Sequence, residues 1–558
     1  MRNIIITAII ILTLTSCATA EQKYLDTIYE PTVVAAPPFD AFVGLSLLPN
    51  GEIRHYDHRA EADFYVSSKN NGLTWDTVKT EKGLLFADVQ NPQTGEYIRL
   101  DDVEGKGFAA IIVKNHGAKD QTVETFATGF PAGKYIMVKP PVFVNDNKRI
   151  VVMTHLGDNF AKEENKGSFA FYSDDNGRTW ERSHALQVPY HKAGGFHKGI
   201  RWNHAAVEPT LLELKNGKLW ALMRTSHDYH YESFSDDFGQ TWTKPAPSKF
   251  YATITMPTLH RLNDGRILLL WNNTTPLPEK EGVNGIWEDV FTNRNVLHAA
   301  VSADEGKSWS GFREIYLDPH RNDSDFGSKP GMDKSSHQTQ VIEPEEGKLI
   351  IALGQHPLHR KIIAMDVDFI TDGSREENFD DSLNNVTAFR YFAGLRGHCG
   401  YDREPNGEII TDPDDEQNPV MLLTSTPDAK FENSIEGAVW NHPAAKKGTL
   451  SFRYRFNKGA KPVNVVLNDR WFNSHDTVAL HENMFKFVLE PVSNDAWQTI
   501  SVDWDTDKGE AVVKSKDFNQ TIHINRATPH GISYLHFMLP EGTDENGVMI
   551  DDIVMKTL

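Results

Sequence analysis

Long apolar runs are scarce in this 558-residue chain. The one that stands out, Ile4 to Leu14, falls short of the roughly 20 residues that a membrane-spanning helix needs, so no segment reads as a transmembrane helix. Cysteine is scarcer still, with only Cys17 and Cys399. Runs of lysine and arginine are missing as well. The 57 basic residues face 77 acidic ones, a formal net charge of −20, and phosphate binding needs a basic surface that can release counterions. Nucleic acid is therefore excluded as a partner. The acidic total leaves the binding site open, because a local arginine cluster can still draw an anion into an acidic molecule. What is present is an ordinary globular composition, 39% apolar and 24% charged, with aromatics at 10% and short strand-like stretches between glycine and proline turns. This reads as a mostly β protein long enough for two or three domains.

The first 22 residues have the form of an export signal: Arg2, the apolar run, then small residues. Leu14-Thr15-Ser16-Cys17 has the pattern of a bacterial lipobox, in which Cys17 takes the lipid and becomes the mature N-terminus, while Ala18-Thr19-Ala20 would also suit ordinary signal cleavage. The expected location is the bacterial cell envelope, as an outer-membrane lipoprotein or in the periplasm, with the lipid as the only membrane contact. With Cys17 lipidated no intrachain disulfide can form, and stability has to come from the core.

Four stretches repeat one pattern: SKNNGLTW ending at Trp75, SDDNGRTW at Trp180, SDDFGQTW at Trp242 and SADEGKSW at Trp309. Each residue type has a mechanical task. The glycine can take the positive φ of a tight turn, the Ser and Asp side chains can bond the turn's own backbone, and the tryptophan can pack back onto the sheet. A catalytic cluster seldom occurs four times, and the acid spacing of a calcium-binding helix–loop–helix is missing. No cofactor is required, and a structural calcium is compatible with the boxes. The spacings are 62 and 67 residues between the last three tryptophans and 105 between the first two, room for one blade without a box. Such a period of short strands predicts a β-propeller, and about 60 residues per blade gives six blades over residues 30–400. After an acidic, proline-bearing link, GTLSFRYRF, VNVVLND, WQTISVDW, GISYLHFML and VMIDDIVM predict a β-sandwich of the jelly-roll or lectin kind over residues 412–558. Its Trp440, Trp471 and Phe472 are candidates for stacking on sugars.

The boxes resemble the Asp-boxes, or BNR repeats, of the sialidase superfamily. The resemblance implies an all-β fold, a six-bladed propeller whose boxes lie away from the catalytic face. It also assigns residues. The segment before the first box, GEIRHYDHRAEADFYV, is similar to one in which an arginine and an aspartate face the substrate, giving Arg59 and Asp63. HAAVEPTLLELKNGKLWALMRTS is similar to a stretch running from a glutamate to an arginine, giving Glu208 and Arg224, with His204 at its start. NRNVLHAAVSADEGKSW gives Arg294. Two features of the family pattern are missing. The segment EPTVVAAPPFDAFVGL contains no arginine, and where the family places its nucleophilic tyrosine the chain has His337 and Gln338.

That replacement moves the expected chemistry. A histidine is a good general base near neutral pH, and a carboxylate held by arginines makes the proton on the neighbouring carbon easier to remove. Two guanidiniums can grip a carboxylate in a two-pronged way that lysine cannot copy. The leading expectation is an enzyme that eliminates across a C–O bond of a uronic-acid residue, at the non-reducing end of an anionic oligosaccharide or polysaccharide, as a lyase or dehydratase. His337 would be the base, Arg224 and Arg294 the carboxylate clamp, Asp63 or Glu208 the acid, and Arg59, His204 and Gln338 further substrate contacts. The alternatives are an exo-acting glycoside hydrolase with Asp63 as acid and a non-catalytic glycan-binding lipoprotein. The remaining histidines, among them His197, His260, His298, His356 and His359, show no tight ligand spacing, so no metal is assigned.

Overall fold

The structure is a computed structural model that describes residues 22–36, 44–56, 64–79, 89–115, 119–156, 167–192, 206–274, 294–323, 335–354, 359–396, 400–425, 436–472, 478–491, 496–516, 518–540 and 542–558. Six antiparallel sheets follow one another along the chain, and each is called a blade here. Blade 1 holds Leu45–Leu47, Ile53–His55, Phe64–Ser68 and Asp76–Lys79; blade 2 holds Val89–Gln90, Tyr97–Val103, Gly107–Lys114 and Thr122–Phe130. In blade 3 the inner strand is broken into Tyr135–Met137 and Val142–Val144, both pairing with Arg149–Leu156, and Ser168–Ser173 and Glu181–Arg182 follow. Blade 4 runs through Val207–Glu213, Leu219–Arg224, Tyr229–Ser235 and Ala246–Tyr251, and blade 5 through Thr258–Arg261, Ile267–Trp271, Val296–Ser302 and Ser310–Leu317. Blade 6 takes Gln340–Glu345, Lys348–Leu353 and Lys361–Asp366 from the far end of the propeller and its outer strand, Thr32–Ala35, from the start of the chain.

The ring closes because apolar faces are paired all the way round. One buried apolar cluster lies at each junction: blades 1 and 2 around Tyr56 and Tyr97, 2 and 3 around Phe108 and Phe171, 3 and 4 around Val151 and Leu219, 4 and 5 around Trp220 and Trp271, 5 and 6 around Leu268 and Ile351, and 6 and 1 around Ile350 and Ile53. Burial of these faces is the main favourable term in assembling the blades. The 105-residue gap between the first two boxes contains blade 2, which has no box.

The boxes fold as staples. In blade 3, Ser173 Oγ accepts from the Gly177 N–H at 2.9 Å, Asp175 accepts from the Thr179 N–H at 2.8 Å and its hydroxyl at 2.7 Å, and Trp180 Nε1 donates to the Gly177 carbonyl at 2.9 Å. The same set recurs at Ser235–Trp242 and Ser302–Trp309. At Ser68–Trp75, Asn70 does the work of the acid, its Oδ1 accepting from the Thr74 N–H at 2.9 Å. Each box also locks its blade onto the one before. A Cβ on Gly177, which sits at φ 85°, would lie 2.3 Å from Ile98 of blade 2.

Beyond the short helix Val367–Thr371 the chain enters two packed sheets. The larger runs in the order Glu408–Asp412, Asp415–Ser425, Asp544–Thr557, Lys447–Phe456, Gln498–Asp505, Glu510–Ser515, Asn519–His523. The smaller holds Val386–Thr387, Gly437–Ala445, Ile532–Met538, Val463–Asn468 and Phe485–Leu489. Residues facing the shared core alternate with outward ones, as along Lys447–Phe456. The sandwich recruits strands earlier than the 412 boundary read from the sequence. Ser374–Glu377 pairs with Asp544–Thr557 and Val386–Thr387 with Gly437–Ala445, because a short strand gains its hydrogen bonds wherever an open edge is offered. The sugar-stacking reading of Trp440, Trp471 and Phe472 is corrected as well. Trp440 is in the sandwich core, Trp471 packs with Val296, Val439 and Tyr534 at the junction with blade 5, and all three are buried.

Candidate functional site

Strand direction separates the two faces of the ring. In blade 4 the box residue Ser235 pairs with Leu219, the first residue of the second strand, whereas Arg224, its last residue, pairs with Val207 at the start of the inner strand. Boxes and inner-strand starts therefore lie at opposite ends of the blade. The candidate residues that are described fall at the second end: Glu208 on the inner strand and Arg224 on the second strand of blade 4, Arg294 just ahead of the third strand of blade 5, and His337 and Gln338 just ahead of the inner strand of blade 6.

The fold brings them into contact. Arg224 donates to Glu208 Oε2 at 2.6 Å, with both side chains buried. The strand is bulged between Val207 and Thr210, and Glu208 adopts a left-handed φ of 45°. Gln338 does the same at φ 58°. Such conformations cost on the order of 1–3 kcal/mol for residues with a Cβ and persist where the surroundings impose them. The Glu208 N–H donates to His155 Nδ1 at 3.3 Å, which leaves the ring proton on Nε2. Burial holds His155 at a pKa of about 4, against the upward pull of Glu208 and with the help of Arg224. Burial opposes ionisation of Glu208 too, yet Arg224, His155 and more weakly Arg294 outweigh it and keep the carboxyl below its ordinary range. With His155 neutral at pH 7, the arginines carry that effect.

Arg294 reaches the same place from blade 5. Its NH1 lies 3.4 Å from His337 Nε2 and 3.4 Å from Ser335 Oγ, NH2 donates to the Ile254 carbonyl, and its own carbonyl accepts from the Ser336 N–H at 2.6 Å. The Met256 N–H stands 3.5 Å from His337 Nδ1, and the His337 side chain is 0% exposed.

Two further cations belong to this end of the ring, and the sequence reading missed both. Arg360, just ahead of the third strand of blade 6, donates to the Gly354 carbonyl at 2.6 Å and lies 3.2 Å from His55 Nε2. It takes the same blade position as Arg294, so the repeat phase could have found it. Lys139, between the two halves of the inner strand of blade 3, donates to Thr258 Oγ1 at 2.6 Å and to the Thr339 carbonyl at 2.5 Å. Burial pushes its pKa down to about 7, with Glu208 pulling it up and Arg360 adding to the fall. Nothing in the local sequence around Lys139 announces a buried lysine. Beneath it a cavity of about 440 Å³ is lined by inner strands of all six blades.

Arg59, Asp63, His204 and Cys17 lie outside the described residues, as do His197 and His356. His298 is buried and His260 half-buried, and desolvation lowers their pKa values to about 3 and about 4. Among the described residues no group of three His, Cys, Asp or Glu side chains could hold a metal ion.

Residues 128–351 match a family model described as a BNR repeat-like domain. Solved structures similar to the chain include a Trypanosoma rangeli sialidase, at 12% identity over 93% of this chain and 91% of that one, with a TM-score of 0.33. The NanB sialidase from Streptococcus pneumoniae is 12% identical over 62% of this chain and 71% of its own, with a TM-score of 0.37. A Penicillium chrysogenum alpha-L-arabinanase complexed with arabinobiose is 10% identical over 62% and 99%, with a TM-score of 0.38. No curated protein matches the chain.

Proposed function

We propose, from the sialidase-superfamily character of a propeller that carries a BNR repeat-like domain, that this chain is a carbohydrate-active enzyme that cleaves at a uronic-acid residue of an anionic saccharide by elimination. The observation that carries the reading is the meeting of His337 and Arg294, 3.4 Å apart, at the end of the ring that also holds the Arg224–Glu208 pair. Guanidiniums that grip the uronate carboxylate stabilise the charge that develops when the adjacent C–H is broken. The imidazole of His337 takes that proton, the C–H electron pair forms a C=C bond, and the C–O bond on the next carbon breaks. The leaving oxygen takes a proton and departs as a sugar hydroxyl or as water. Ligand entry has to uncover the imidazole edge, since catalytic contacts are often incomplete before substrate binds. Glu208, ionised beside Arg224, is unsuited to donate that proton at neutral pH, which leaves the acid role to Asp63 or a substrate-bound water.

The ionised Glu208 favours one second reading, hydrolysis with Glu208 as the base that activates water. In both readings the chain works on polysaccharide fragments at the cell envelope.

The test is incubation with uronate-bearing oligosaccharides while ultraviolet absorbance of a carboxylate-conjugated C=C bond and reducing ends are followed together. Elimination raises both when a sugar leaves, and absorbance alone when water leaves. Reducing ends without absorbance would replace elimination by hydrolysis. His337→Ala is expected to lower the absorbance rate by about 10²- to 10⁴-fold, the usual contribution of a general base, and full activity in that variant removes the mechanism.

A further inference from the structure

Between blade 5, blade 6 and the sandwich lies a second cavity, of about 730 Å³, bordered by Tyr29, Arg313, Lys361, Phe369, Asp372 and Arg375. Arg313 lies on the outer strand of blade 5 and is 3% exposed, with its guanidinium stacked 4.2 Å above the Phe369 ring. A guanidinium offers five donors in a fixed fork, and buried donors are normally satisfied. Here Nε and NH1 meet no hydrogen-bond acceptor, and no carboxylate lies within 4 Å, among the described residues. Glu30, Glu314, Asp372 and Glu376 also line the cleft, none of them within ion-pair distance of Arg313. Asp372 accepts from Tyr29 Oη at 3.1 Å and from the Ser374 N–H at 3.1 Å, and Glu314 Oε1 accepts from Tyr534 Oη at 2.7 Å.

A second cation makes the deficit larger. Arg375 enters the cleft from the first sandwich strand and spends NH1 on the Asn441 carbonyl at 2.7 Å. Burial first, and then the charge of Arg375, push the pKa of Arg313 down to about 9 against the upward pull of Asp372, Tyr29 and Glu30, so Arg313 stays charged at neutral pH. Two like charges held together in a walled cleft, one of them with idle donors, are what a bound oxyanion neutralises. The aromatic ring under Arg313 fixes the guanidinium plane, which suits a two-pronged contact with carboxylate or sulfate.

We propose that this junction is a second anion site, one that binds an acidic group of a saccharide, a uronate carboxylate or a sulfate ester, away from the propeller mouth. Its place where sandwich and propeller meet lets it hold a distant part of the same anionic chain.

Isothermal titration calorimetry of the whole chain with sodium glucuronate, repeated with sodium sulfate and with neutral glucose, tests it. The variants are Arg313→Met, which keeps the stacking bulk without the donors, and Arg294→Met at the propeller mouth. The site predicts that an anion-binding event survives in R294M, is lost or weakened at least tenfold in R313M, and is missing with glucose. Which anion binds more tightly separates the carboxylate from the sulfate source. Equal binding of both anions to wild type and R313M overturns the proposal, as does loss of all binding in R294M. The outcome at the mouth is read separately, because a failed catalytic reading leaves the R313M difference untouched. If R313M does not fold, Lys361→Ala at the half-buried edge carries the test, and an unchanged affinity of the site that R294M retains sinks it.

Discussion

Two buried charges near the propeller mouth both make stability rise with pH, in separate windows. Glu208 has a folded pKa below its unfolded value of about 4.3, so its ion pair with Arg224 contributes fully above that pH and is lost as pH falls through the lower folded value. Removing one partner strands the other, and Glu208→Gln is expected to cost about 3–5 kcal/mol in urea unfolding at pH 7, more than the paired replacement Glu208→Leu with Arg224→Met. Lys139 acts in the same direction at higher pH. Its pKa falls from roughly 10.4 unfolded to about 7 folded, so the unfolded chain binds the extra proton between those values and stability rises with pH across that window. Lys139→Met is expected to flatten that rise and to stabilise the fold below pH 7, by up to about 4 kcal/mol on the same linkage. A wild-type curve already flat from pH 7 to 10 would show that Lys139 is not carrying it. Glu208, Arg224, Arg294 and His337 were singled out by the resemblance of their segments to a family pattern, and the fold places them at one end of the ring. Lys139 was not, because a lysine is buried only by what other blades place over it.

At the scale of the element, the box couples each hairpin to the neighbouring blade, and the cost of disturbing it depends on what lies opposite. Gly177→Ala and Gly217→Ala both force a side chain into a positive φ, at about 1–2 kcal/mol. Only at Gly177 does the new Cβ meet a buried neighbour, Ile98 at 2.3 Å, whereas at Gly217 the nearest atom is 3.7 Å away. Gly177→Ala is therefore expected to be the more damaging, by a further ~1–3 kcal/mol of overpacking. The turnover per folded molecule should be unchanged in both, because the boxes and the turn between Glu213 and Leu219 that holds Gly217 sit on the face opposite Glu208 and Arg294. A fall in turnover at constant folded fraction would place the boxes nearer the chemistry than the strand register allows. The four boxes could be read from the sequence because every interaction in them spans at most four residues.

Across the whole molecule, propeller and sandwich are joined by a buried polar chain. The Asn273 N–H donates to His298 Nδ1 at 3.0 Å, His298 Nε2 donates to Tyr534 Oη, and Tyr534 in turn donates to Glu314 at 2.7 Å. The Trp471 N–H adds a bond to the Asn273 carbonyl at 2.9 Å. Such a junction predicts that the two parts unfold together in calorimetry and that Tyr534→Phe, which strands a buried donor and a buried carboxyl, costs about 1–3 kcal/mol while keeping one transition. Two separated transitions in the wild type would show that the parts unfold independently.

The sequence by itself determined the blades, since turn chemistry and strand alternation act over a few residues, whereas the arginines, carboxylate and histidine of the candidate site were read from a family resemblance. Only the tertiary structure decided how the ring closes, by pairing Thr32–Ala35 with strand residues 362–364 some 330 positions later. It also decided which charges are buried with no ion pair among the described residues, Lys139 under the mouth and Arg313 at the junction. Desolvation belongs to the neighbours that a side chain meets in space, and for these two residues those neighbours come from other blades and another domain.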